Sequence, residues 1–404
     1  MYNYIKYISF LYILVNCSYL LCMLSLIIET NERLNFMDFK QLGINTDIVS
    51  LLKKQGITTP TEIQEKAIPL IKEGKDIIGE AQTGTGKTFS FLIPIIENIS
   101  LNVTSPQALI LSPTRELALQ ITNEAEKLAS GKDINILSVY GGRDIASQLK
   151  KIKKGIHIIV ATPGRLLDHI EREALDFKKL KSFVIDEADQ MLLMGFKNEI
   201  EKISSILPKK RQTLCFSATI NSDVKKLAYR YTNNPIFISI KKEEITLENI
   251  KQFVVETSDR HKQSSLFKVL NEDNPFMAII FCRTKRRADV LEEAMVQAKY
   301  NCAKIHSDIP QPKRERIIKS FRNCEIQYLI ATDVASRGLD ITGVSNIYNY
   351  DMPETPEIYI HRIGRCGRAG DEGYTCLFAA PKDTKLLKAI EEKIEFDIPR
   401  RLVD

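Results

Sequence analysis

The stretch Ala81-Gln82-Thr83-Gly84-Thr85-Gly86-Lys87-Thr88 sets two glycines, a lysine and a threonine between an apolar segment and a helical run that starts near Phe89. In that setting glycines let backbone N–H groups turn in on phosphate oxygens. The lysine supplies a point charge to the β- and γ-phosphates, the threonine offers a hydroxyl to Mg2+, and the helix N-terminus adds favourable potential. The general pattern opens on Gly, and here that position holds Ala81. Further along, Val184-Ile185-Asp186-Glu187 ends an apolar strand in two carboxylates. Asp186 suits Mg2+ and Glu187 suits the orientation or deprotonation of an attacking water. A strand ending in Asp-Glu is ordinary alone; with Lys87 in the same chain it points to hydrolysis of a nucleoside triphosphate. Near the C-terminus, His361-Arg362-Ile363-Gly364-Arg365-Cys366-Gly367-Arg368 spaces arginines three apart with glycines that permit close approach. That pattern suits arginine fingers at Arg365 and Arg368, and the glycines argue against a merely solvated basic turn.

Such residues need sheet edges to hold them. Short apolar runs at 76–79, 108–112, 134–139, 157–161, 182–185, 213–216 and 236–240, then at 253–256, 277–282, 302–305, 328–331, 346–349 and 374–378, read as strands. They alternate with helical patterns such as 115–130, where Leu117, Ile121, Ala125 and Leu128 share a face and Gly131 stops the helix. This alternation predicts an α/β fold of parallel sheets flanked by helices. The two halves echo each other: Ala108 to Thr114 aligns with Ala278 to Thr284, and Val160-Ala161-Thr162 with Ile330-Ala331-Thr332, at one offset. Carboxyl ends of strands are where open α/β sheets bind ligands, so these Thr-tipped ends mark a working edge. The same offset sets Thr257 opposite Lys87, with no Gly-rich loop nearby, and Asp351 stands as a single carboxylate. Only the first half is therefore equipped to bind nucleotide, and the second must act across a cleft. The expected division is 1–36, a first domain at 37–240, a charged linker at 241–250 and a second domain at 251–404.

The chain has 404 residues, a formal charge of +6 and 44% hydrophobic residues. These values fit folded domains and exclude a largely disordered chain; the charge permits a polyanionic partner without requiring one. Eight scattered cysteines form no C-x-x-C pair and five histidines form no zinc spacing, which fits a reducing, cytoplasmic setting. Residues 7–28 carry no charge and are long enough to span a bilayer. They stand either as a membrane segment or as a start site assigned too early, with Met37 opening the protein. Membrane attachment follows only from the first reading.

Asp186-Glu187-Ala188-Asp189, following the phosphate-loop motif, resembles the signature of the DEAD-box RNA helicases, and the resemblance runs from about Phe39 to the end of the chain. It implies two tandem RecA-like domains. Gly56 to Gln64 (Gly-Ile-Thr-Thr-Pro-Thr-Glu-Ile-Gln) is similar to the family's adenine-reading motif, which implies that Gln64 pairs with adenine and Phe39 stacks on it. Ser217-Ala218-Thr219 resembles the motif that couples hydrolysis to strand separation. Asp333 to Asp340 looks like the second-domain motif, implying a ribose contact for Asp340, and Arg365 and Arg368 match the family's fingers. For RNA, the resemblance implies backbone contacts from Pro113, Thr114, Arg115, Gly141, Gly142, Thr162, Pro163, Gly164 and Arg165, and from Arg283, Thr284, Gln311, Arg314 and Thr332. Ser307 and Cys366 depart from the usual Gly and Thr.

The implied activity is an RNA-stimulated ATPase, with ATP and Mg2+ as cofactors, that closes on single-stranded RNA and opens short duplexes. Contacts of this type fix the strand without reading its sequence. The implied protein is a monomer with a bare, bacterial-type core, and its partners belong to ribosome assembly or RNA decay. A DNA helicase on the same core and an ATP-dependent RNA clamp without unwinding are the alternatives.

Overall fold

The computed structural model describes residues 38–82, 84–142, 152, 155–240, 250–336, 344–366 and 373–403. Thr83, Asp340, Arg368, the first 36 residues and most of the expected linker lie outside the described residues.

The first lobe runs α1 (Thr46–Lys54), α2 (Glu62–Lys72), β1 (Ile77–Glu80), α3 (Lys87–Glu97), β2 (Ala108–Leu111), α4 (Arg115–Leu128), β3 (Ile136–Val139), β4 (Ile158–Ala161), α5 (Pro163–Glu171), β5 (Ser182–Ile185), α6 (Ala188–Leu193), α7 (Lys197–Ile206), β6 (Gln212–Ser217), α8 (Ser222–Tyr231) and β7 (Ile236–Ser239). The second runs β8 (Ile250–Glu256), α9 (Lys262–Asp273), β9 (Ala278–Cys282), α10 (Lys285–Gln297), β10 (Cys302–Ile305), α11 (Gln311–Arg322), β11 (Tyr328–Thr332), α12 (Asp333–Ser336), β12 (Asn346–Asn349), α13 (Pro356–Ile363), β13 (Gly373–Ala379) and α14 (Thr384–Ile394).

The sheet orders are β3-β4-β2-β5-β6-β1-β7 and β10-β11-β9-β12-β13-β8. The strand pairs are parallel, as in Ala108↔Ile158 and Ala278↔Tyr328. Strands β2, β4 and β5 are buried along their whole length, so both faces are covered by helices. Each face carries its own apolar core. Every fully buried Ile, Leu, Val or Phe contributes about 1.5–3 kcal/mol.

Three details depart from the sequence expectation. Helix α4 buries Ala118 and Thr122 beside Ile121, Ala125 and Leu128, and leaves Leu117 half-buried; it ends at Leu128, ahead of Gly131. Ile250, assigned to the linker, is already a buried strand residue, because it pairs with Gly373. The C-terminal residues lie along β8: the Val254 amide donates to the Pro399 carbonyl, and the Arg401 amide to the Val254 carbonyl. Among the described residues, no helix is long and apolar enough to cross a membrane.

Candidate functional site

Strand β1 ends at Glu80 and delivers the phosphate-loop segment to the carboxyl edge of the first sheet. Gly84 and Gly86 hold φ of +88° and +87°, the left-handed region that glycine enters without penalty. Gly86 is required a second time: a Cβ there would fall 2.3 Å from Gln64 Nε2. Gln64 is buried, donating Nε2 to the Gly86 carbonyl at 3.0 Å and accepting from the Thr61 amide at 3.0 Å. Its amide is thus tied to the loop and to the start of α2. Phe39, expected to show a ring face to a base, is 1% exposed within the core instead. Ala81 is buried and its amide donates to the Ser217 carbonyl. Thr85 Oγ1 donates to the Gln82 carbonyl at 2.7 Å, and Thr88 is half-buried on the first turn of α3.

Lys87 opens α3, is 5% exposed, and reaches Glu187 Oε1 at 3.0 Å. Burial lowers its pKa most, but the combined attraction of Glu187, Asp186 and Asp189 more than offsets this, and the net shift is upward. At Asp186 burial prevails instead. Burial, then the adjacent Glu187 carboxylate, push its carboxyl up to about 7 against the pull of Lys87. Glu187 holds φ of +53°, a left-handed conformation that costs a non-glycine residue about 1–3 kcal/mol and persists only where the surroundings fix it. Here the Asp186 carboxylate accepts the Glu187 amide at 3.1 Å, and the Lys87 pair holds the Glu187 side chain. Two buried carboxylates with one lysine beside them leave this sheet edge short of positive charge, which suits a hard divalent cation.

From this edge a hydrogen-bonded chain leads outward. The Asp189 amide donates to Ser217 Oγ at 3.2 Å, Thr219 Oγ1 donates to Asp189 Oδ2 at 3.1 Å, and Ser217 Oγ donates to the Thr219 carbonyl at 2.8 Å. Ala218 is buried between them. Next in α6, Gln190 Nε2 meets His361 Nε2 of the second lobe at 3.4 Å. Arg365, His361 and Gln190 line one crevice between the lobes. Arg362 is a structural clamp: fully buried, it binds Asp333 through Nε and Nη2 at 2.6 and 2.7 Å and lies over the Phe281 ring.

The residues assigned to RNA gather along the other half of both sheet edges. Thr114 caps α4, accepting from the Leu117 amide, and Thr284 caps α10, accepting from the Arg287 amide. Gly141 and Gly142 seat the Arg115 guanidinium: a Cβ on either would fall 3.0 or 2.8 Å from its terminal nitrogens. Pro113 is buried, Thr162 and Pro163 begin α5, and a Cβ on Gly164 would meet nothing within 4 Å. The chain's own packing therefore does not demand that glycine. Arg165 lies near Asp168, and Arg283 reaches the Met352 carbonyl. Thr332 ends β11 and is buried.

Two of these residues sit differently from the expectation. Gln311 is buried at the start of α11, and Arg314 Nη2 lies 2.8 Å from Glu116 Oε1 of the first lobe, with side chains 6% and 8% exposed. Arg314 is thus engaged as an interlobe clasp. Glu116 and Gln190 escaped the sequence reading because their partners lie in the other lobe. The residues beside them, Arg115 and Asp189, were the available signal.

Comparison with known proteins agrees with this layout. The DEAD/DEAH box helicase family model matches residues 61–227, and the Helicase conserved C-terminal domain matches 261–370. A DEAD-box ATP-dependent RNA helicase CshA of Bacillus licheniformis is 45% identical over 89% of this chain and 73% of its own length. An ATP-dependent RNA helicase CshA of Listeria monocytogenes is 46% identical over 88% and 68%. The solved structure of S. cerevisiae Dbp5 bound to RNA and ADP BeF3 superposes with a TM-score of 0.81 at 30% identity, over 91% of this chain and 96% of that one. Mss116p bound to ssRNA and AMP-PNP gives 0.82 at 30%, over 92% and 81%. With its phosphate loop, its Asp-Glu-Ala-Asp edge and a second lobe apposed across the crevice, the chain belongs to the DEAD-box ATP-dependent RNA helicases.

Proposed function

We propose that the chain binds ATP and single-stranded RNA in its two-lobed cleft, couples hydrolysis to closure, and opens short RNA duplexes locally. The observation that carries this is one short segment: Glu187 pairs with Lys87, Asp189 bonds Ser217 and Thr219, and Gln190 meets His361 of the second lobe. Thr88 and Asp186 would hold Mg2+, which when bound offsets the charge of the phosphates. Lys87 positions the β- and γ-phosphates, and releasing Glu187 from Lys87 frees that carboxylate to take a proton from the attacking water. Arg365, with Arg368, steadies charge on the transferring phosphoryl group; Gln64 and Asp340 hold the nucleoside. Arg115, seated on Gly141–Gly142, with Thr114, Thr162, Gly164, Arg283, Thr284 and Thr332, tracks the sugar–phosphate backbone. The protein acts as a monomer in the cytoplasm, with partners from ribosome assembly or RNA decay.

The test is ATP turnover with no nucleic acid, with RNA and with single-stranded DNA, alongside displacement of a short RNA duplex. Stimulation by RNA alone together with displacement is expected. Equal stimulation by DNA would replace this reading with a DNA helicase. ATP-dependent RNA retention without turnover would replace it with a clamp.

A further inference from the structure

The second lobe repeats the strand order of the first, apart from β7, which has no counterpart among the described residues. In the sheet orders β8 occupies the place of β1, and β12 that of β5. The helix after β1 opens on Lys87, and the helix after β8 opens on Lys262. The structure therefore moves the counterpart of Lys87 from Thr257, where a constant offset puts it, to Lys262. Asp351 stands just beyond β12, as Asp186 stands just beyond β5.

Lys262 is 2% exposed and lines a cavity of about 90 Å3 at this edge. A single buried water needs roughly 10–15 Å3 on this measure, so there is room for a group the size of one tetrahedral oxyanion. Among the described residues the Lys262 ammonium makes no hydrogen bond, and the Asp383 carboxylate stands 3.9 Å away. Its hydrogen-bonding capacity is thus unspent at a buried position, with the 3.9 Å ion pair to Asp383 beside it. The neighbouring carboxylates are engaged elsewhere. Asp351 accepts Arg287 Nε at 2.7 Å and the Arg283 amide at 3.0 Å. Asp259 accepts Lys382 at 2.5 Å, and Asp383 accepts the Ala380 amide at 3.0 Å. Burial lowers the Lys262 pKa more than Asp351, Asp383 and Asp259 raise it, the reverse of the balance at Lys87. Four cations against three aspartates leave the lining one positive charge in excess.

We propose that this cavity is a second oxyanion site, taking one phosphate group on Lys262, with Arg283, Arg287 and Lys382 around it. The segment from Thr257 to His261 contains no glycine, so it does not wrap a triphosphate as the first lobe's loop does. The phosphate comes either from the backbone of bound RNA, since Arg283 borders both this cavity and the RNA tract, or from free inorganic phosphate. The RNA source rests on the function proposed above; the free-phosphate source does not.

The test uses the full chain with Mg2+ and a non-hydrolysable ATP analogue filling the first lobe's loop. Inorganic phosphate is titrated calorimetrically, with and without a ten-nucleotide oligouridine. Saturable one-to-one phosphate binding is expected, weakened at least tenfold by Lys262→Met. If oligouridine displaces the phosphate, and Lys262→Met weakens RNA binding with a salt dependence shallower by about 0.7, the source is RNA. If RNA leaves phosphate binding unchanged, the source is the free ion. Should Lys262→Met unfold early by circular dichroism, Lys382→Met, whose side chain is 61% exposed, carries the comparison with a severalfold loss expected. Phosphate and RNA affinities that match wild type in the folded variant overturn the site. Loss of RNA-stimulated ATPase in wild type with Lys262-dependent phosphate binding intact would sink only the helicase reading.

Discussion

At Asp186, burial and the Glu187 carboxylate outweigh the attraction of Lys87 and hold the carboxyl at about 7. A folded-state pKa raised above the ordinary carboxylate value means that folding is penalised once the pH rises past that ordinary value, and most strongly above about 7. Asp186→Asn should therefore abolish turnover yet raise the melting temperature of the nucleotide-free chain. The gain should be largest at pH 8 and fade toward pH 4, at roughly 2–4 °C per kcal/mol of relieved repulsion; an equal gain at both pH values would contradict the assignment. Glu187→Gln keeps the side chain's shape and a hydrogen bond to Lys87 while removing the base. Turnover should fall by about 100-fold or more with ATP-dependent RNA binding retained, as read by single-turnover hydrolysis and filter binding. Loss of RNA binding together with turnover would show that Glu187 organises the cleft instead.

Elements place these residues, and here the sequence was informative to different depths. Every expected strand is present, three of them with the expected ends, because continuous apolar runs capped by turn residues report a sheet buried on both faces. The offset that aligned β2 with β9 and β4 with β11 failed at β8, since insertions between strands change spacing without changing sheet order. Neither the left-handed backbone of Glu187 nor the seating of Arg115 on two glycines has a local sequence cause. Gly142→Ala tests the seating: with φ of +90° and its Cβ 2.8 Å from Arg115 Nη1, the variant must displace that guanidinium. RNA affinity should drop about tenfold while ATP affinity stays, measured by fluorescence anisotropy with labelled RNA and labelled nucleotide. Across the lobes, Arg314→Met leaves Glu116 buried without its cation, and breaking a buried pair costs about 3–5 kcal/mol. ATP-dependent RNA binding should fall more than tenfold. The Glu116→Gln/Arg314→Met double variant should lose less than the sum of the single losses, and additive losses would show that the pair is not coupled.

In the whole molecule the two lobes are apposed, and the contacts Glu116–Arg314 and Gln190–His361 join them. Residues 38–240 expressed alone should bind ATP but lose stimulation by RNA, measured as steady-state ATPase; stimulation equal to that of the full chain would remove any need for the second lobe. The edge position of β8 has a further consequence. Its partners, β13 and residues 399–401, lie far downstream in the chain. As the ribosome extends the chain, the earlier lobe can finish its sheet when β7 emerges, whereas Val254 and Val255 wait for their strand partner until β13 has been synthesised. A ribosome stalled ahead of β13 would thus hold a nascent chain with one mature half and one sticky, unpaired edge, a form prone to aggregation and open to chaperones.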